Sequence, residues 1–75
     1  MYHNTKNIDE KLSRRESQVA EKVSEGLSNR SIADQLFISE RTVKFHCTNI
    51  FKKLAISNRK MLISIFSKNQ FQGTA

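Results

Sequence analysis

The sequence predicts an all-α domain of four helices. Three observations carry this. Apolar residues between Leu12 and Phe66 recur at i, i+3 and i+4, not in the strict alternation of a half-buried strand. Serines at positions 13, 28, 39 and 57 each stand just ahead of such a stretch, where a hydroxyl can cap a helix. The chain has no proline and only two glycines, Gly26 and Gly73, so little interrupts the periodic segments.

The first helix is expected to start after Ser13, with Glu16 three residues on completing a capping box. Val19, Ala20 and Val23 share one face, Leu12 and Leu27 flank it, and Gly26 ends it because glycine takes positive φ freely. A second, short helix follows Ser28, with Ile32, Ala33 and Leu36 on one side, until Phe37 and Ile38 interrupt. Ser39 caps the third helix, and Glu40 suits the positive end of its dipole. Val43, Cys47, Ile50, Phe51 and Leu54 then make a continuous apolar stripe. The fourth helix is predicted from Ser57, as cap, to about Ser67, and Met61, Leu62, Ile63, Ile65 and Phe66 cover most of its circumference. The domain is therefore placed at residues 12–67, between flexible tails at 1–11 and 68–75.

Size and charge narrow the function. A chain of 75 residues has no room for both a core and an enzyme-sized cleft. No serine has the histidine and acid of a nucleophilic triad, so no catalytic residue is assigned. One cysteine, Cys47, makes neither an internal disulfide nor a cysteine-based zinc site, and no metal, cofactor or small-molecule ligand is expected. No apolar run is long enough to span a membrane, and a cytoplasmic location is expected. Thirteen lysines and arginines face seven aspartates and glutamates, for a net +6. Residues 1–39 are balanced, six basic against six acidic, whereas residues 40–75 carry seven basic side chains against Glu40 alone. A concentrated positive field of this kind attracts a polyanion, most commonly nucleic acid.

The two central helices explain where that charge goes. A short helix, a tight turn and a long basic helix are the parts of a helix-turn-helix, with the small Ala33 where the two helices cross. At about 100° per residue, Arg41, Phe45, Thr48, Asn49 and Lys52 lie opposite the Val43–Leu54 stripe, with Lys44 at the border and His46 on the shoulder of the core. A phenylalanine on the most polar side of a helix is anomalous in water but fits against a thymine methyl group in a major groove.

Residues 12–60 also resemble the LuxR-type (GerE/FixJ-like) DNA-binding domain. The matching pieces are Leu12-Ser13-x-Arg15-Glu16, Gly26-Leu27-Ser28-Asn29, Ile32-Ala33, Ile38-Ser39-Glu40-x-Thr42-Val43-Lys44-x-His46, Lys53-Leu54 and Arg59. Ala55 departs from the pattern, which usually has glycine there, and Ala20 stands where leucine is common. The resemblance implies a four-helix domain that binds double-stranded DNA and regulates transcription. It implies base contacts at Lys44, Phe45 and Thr48 and phosphate contacts around Ser28, Asn29, Thr42, Lys52 and Lys53, to which the outward positions of Arg41 and Asn49 are added. It also implies a homodimer through the fourth helix, for which Leu62, Ile63, Ile65 and Phe66 supply the apolar surface. In the leading reading such a dimer occupies two half-sites, and contact with RNA polymerase decides activation or repression. The chain then reads as a self-standing short regulator or as the effector domain of a longer one. The competing functions are a sigma-factor-like promoter reader of the same architecture and a helical module that sequesters a related regulator through its fourth helix. Among the remaining residues, Glu16 and Arg59 are expected to pair between the first and fourth helices, His46 to be structural, and Cys47 to act as a small buried hydrophobe.

Overall fold

A computed structural model of the chain describes residues 11–74, with side chains to residue 66. Four α-helices make up the fold: α1 (Arg14–Ser24), α2 (Asn29–Leu36), α3 (Glu40–Leu54) and α4 (Arg59–Thr74). The predicted N-terminal tail lies outside the described residues, apart from Lys11.

Side-chain caps start every helix. Ser13 and Glu16 form the expected capping box: the Ser13 hydroxyl accepts from the Glu16 N–H at 3.1 Å, and the Glu16 carboxylate accepts from the Ser13 N–H at 2.9 Å. Ser28 and Ser39 accept from the N–H groups of Ser31 and Thr42, both at 3.1 Å. The cap of α4 corrects the sequence reading. It is Asn58, not Ser57, whose amide oxygen accepts from the Met61 N–H at 3.0 Å. Both residue types cap well, so propensity alone does not choose between neighbours.

The first three helices end in one motif. Leu27, Ile38 and Ile56 donate back across the turn to the carbonyls of Lys22, Ala33 and Phe51, the six-to-one bond of a Schellman end. Each of these apolar residues also packs against the core, as the motif requires. The residue before each adopts positive φ: Gly26 at 87°, Phe37 at 59° and Ala55 at 56°. Only the first is a glycine. A side chain in this conformation costs about 1–2 kcal/mol, while glycine loses about 0.5–1 kcal/mol more backbone freedom on folding. Ala55→Gly is therefore expected to stabilise the domain by about 0.5–1 kcal/mol. Chemical denaturation checks this, and an unchanged or lower midpoint would refute the strain at Ala55.

The core is built from all four helices. Val19, Ala20 and Val23 of α1, Ile32 and Ala33 of α2, Val43, Cys47 and Ile50 of α3 and Leu62 of α4 are buried together with Leu12. The helix α1 is central, packing on α4, α3 and α2, while α2 packs mainly on α3. Because α4 lies on α1, the far side of α3 stays uncovered.

Two expectations about α4 change. Leu62, read as a dimer contact, has no exposed surface. Ile63 and Phe66 are half-buried and packed against the core, and Ile65 is half-buried. The surplus of apolar surface is therefore smaller than the circumference count implied, since α1 takes one side of the helix. Among the described side chains of α4, Met61 is the large apolar residue left exposed. The helix also runs to Thr74 instead of stopping near Ser67, so the backbone of residues 68–74 is helical where a tail was expected. No proline or glycine precedes Gly73 in that stretch to end it.

Candidate nucleic-acid interface

The uncovered side of α3 holds the residues that the helical period places opposite the core. Arg41, Lys44, Phe45, Thr48 and Lys52 are all exposed, and Asn49 is half-buried. Phe45 retains 62% of its surface, held by no core contact, with its ring 5.9 Å from that of half-buried His46. The Thr48 hydroxyl donates to the Lys44 carbonyl at 3.0 Å, so its oxygen keeps acceptor capacity on the open face. Thr42 is half-buried, its hydroxyl 3.0 Å from that of Ser39.

The start of α2 is brought to the same surface. Exposed Ser28 and half-buried Asn29 sit at its first turn. Asn29 shares one open groove with Glu40, Arg41 and Lys44 and a second with Lys44, Cys47, Thr48, Phe51 and Arg59. Residues from separate helices thus converge on one basic, hydrogen-bonding surface. Lys52 and Lys53 lie at the other end of α3, in its last turn.

The two lysines are not equivalent. Lys52 is exposed, and among the described residues the one ion pair joins Lys53 to Glu16, at 2.7 Å. This corrects the expected Glu16–Arg59 pair. Glu16 is spoken for by Lys53, which ties α1 to the end of α3, and Arg59 turns instead to the start of α2. There it donates to the Asn29 amide oxygen and to the Leu27 carbonyl, each at 2.7 Å. Both residues carry the expected charge, but the partner depends on how α1 and α4 cross, which no local pattern encodes.

Glu16 is only 5% exposed. Burial by itself would push its carboxyl up, but the Lys53 ammonium and the Ser13 N–H and hydroxyl outweigh it and hold the group below its ordinary value. A depressed carboxylate stabilises the folded state above its unfolded-state value, and that stability is lost as pH falls through the folded value. The melting temperature should then be insensitive to Glu16 above about pH 5 and fall below it. Glu16→Gln keeps the capping box but removes the charge, so it should flatten this part of the acid limb. An unchanged acid limb in that variant would remove Glu16 from the account.

Cys47 is buried at the base of the second groove. Burial pushes its thiol up, against the smaller opposing influence of Arg59, so it stays protonated at neutral pH and packs as a small apolar group. Phe37, at which the sequence interrupts the second helix, is 93% exposed in the turn between α2 and α3, an exposure that periodicity does not predict for a turn residue.

A short helix, a tight turn and a longer helix with an open basic face define a helix-turn-helix domain of the DNA-binding class. The profile of the family described as "Bacterial regulatory proteins, luxR family" matches residues 10–66, and the chain belongs to this family of DNA-binding transcription regulators. It is 47% identical over 58 residues to the CsgBAC operon transcriptional regulatory protein of Escherichia coli, covering 77% of this chain and 27% of that one. It is 41% identical over 58 residues to the transcriptional regulatory protein DegU of Brevibacillus brevis, covering 77% of this chain and 25% of that protein. It is 46% identical over 55 residues to a nitrate/nitrite response regulator protein homolog of Haemophilus influenzae, covering 73% of this chain and 26% of that protein. The chain thus spans about a quarter of the length of these relatives. No solved structure matches it. Among the described residues no helix is long and apolar enough to cross a membrane.

Proposed function

We propose that the chain binds duplex DNA sequence-specifically as a two-fold dimer, with α3 in the major groove, and so regulates transcription in the bacterial cytoplasm. The observation that supports this best is the open face of α3, where exposed Arg41, Lys44, Phe45, Thr48 and Lys52 lie opposite the buried Val43, Cys47 and Ile50. In this reading Lys44, Phe45 and Thr48 meet base edges. Ser28, Asn29, Arg41, Thr42, Asn49 and Lys52 meet the sugar-phosphate backbone and set the register. Lys53 contributes less, because its ammonium also serves Glu16. Dimerisation falls to α4, whose Met61 is exposed and whose Ile63, Ile65 and Phe66 are half-buried. RNA polymerase is the further partner that sets activation or repression.

The test is binding to duplexes selected from a random pool, repeated across salt concentrations. Log affinity should fall linearly with log salt, by about 0.9 for each phosphate neutralised. Lys52→Ala should reduce that slope by about one with little change in base preference. Lys53→Ala should reduce it by less and lower the melting temperature, because it strips a partner from buried Glu16. A slope near zero would sink the DNA reading and leave sequestration of a related regulator as the better account.

A further inference from the structure

We propose that Arg59, on α4, is a positioning residue for DNA binding. It holds the Ser28–Asn29 corner of α2 in the arrangement that meets a phosphate. The inference rests on the DNA reading above and concerns a residue to which that reading gives no contact.

The guanidinium brackets the corner. One terminal nitrogen donates to the Leu27 carbonyl, just before Ser28, and the other to the Asn29 side chain, just after it, both at 2.7 Å. A planar fork with two fixed donors can do this, whereas a lysine ammonium has no such fork. Its effect on Asn29 follows from donor and acceptor chemistry. A guanidinium only donates, so the atom facing it must be the amide oxygen. The amide NH2 is thereby turned the other way. Among the described residues nothing accepts from it, yet no buried polar atom there lacks a partner, so the NH2 lies at the accessible surface. That surface borders the grooves lined by Arg41, Lys44 and Thr48. Freed from Arg59, the amide can rotate and present its oxygen, which repels a phosphate. Arg59 thus converts an ambivalent side chain into a pure donor and connects α4 to the reading surface within one chain.

The experiment is a double-mutant cycle on a single half-site duplex selected by the parent chain, so that dimerisation does not enter. The variants are Arg59→Lys, Asn29→Ala and the double mutant, with Asn29→Asp beside them and the melting temperature of each recorded. Arg59→Lys and Asn29→Ala should each weaken binding by about tenfold, the size of one hydrogen bond to a charged group. The double mutant should lose clearly less than the product of the two, because both act through one amide. Asn29→Asp keeps an acceptor for Arg59 but replaces the NH2 with negative charge. It should melt at or above the parent and still bind at least about tenfold more weakly. Losses that multiply independently, or Asn29→Asp binding as tightly as the parent, overturn the positioning role while leaving DNA binding intact. A parent chain that selects no duplex overturns both.

Discussion

Leu62→Ala is expected to destabilise the domain by about 2–5 kcal/mol, the usual range for a fully buried leucine. Among the described side chains of α4, Leu62 is the one buried in the core cluster, on a helix that packs on α1. Removing it leaves a cavity at the α1–α4 contact. In a domain of this size each kcal/mol shifts the melting temperature by about 4–8 °C, so the variant should melt at least about 10 °C lower or fail to fold at 37 °C. Met61→Glu is the matched control. Met61 is 42% exposed on the same helix, and the cost of the substitution in monomer stability should stay within about 0.5 kcal/mol. Its effect should appear in sedimentation and in cooperative binding to a two-half-site duplex. If Leu62→Ala melts like the parent and abolishes association, the assignment of the two residues is reversed.

Phe45→Ala should behave in the opposite way, with a parent-like melting temperature and weakened binding to the selected duplex. The ring is largely exposed, on the side of α3 opposite the core, so folding gains little from it. Its value lies against the methyl group of a thymine, beside Lys44 and Thr48. Loss of one base contact costs about 1–3 kcal/mol and relaxes preference at one position of each half-site. Uracil in place of that thymine should reproduce the loss with the parent protein and add nothing to it in Phe45→Ala. Unchanged affinity would leave Phe45 without a role on DNA, and a large fall in melting temperature would place it in the fold.

The apolar period and the serines before each helix determined by themselves that the chain is all-α, where α1, α2 and α3 begin, and which side of α3 is open. These features are local. A cap reaches three residues, and a stripe repeats every turn, so each can be read without knowing what packs against it. The periodic reading of α3 placed Val43, Cys47 and Ile50 in the core and Phe45 outside it, as observed. On α4 the same reading failed, because apolar residues surround that helix and only its packing on α1 selects Leu62 for burial. The partners of Glu16 and Arg59 lay equally beyond local reach. Glu16 and Arg59 are 43 positions apart, and both found other partners because α3 brings Lys53 to Glu16 and α4 brings Arg59 to Asn29. The positive φ of Phe37 and Ala55 was likewise decided by tertiary structure. Neither residue favours that conformation. The burial of Ile38 and Ile56 just beyond them sets the turn, and the backbone of the preceding residue conforms.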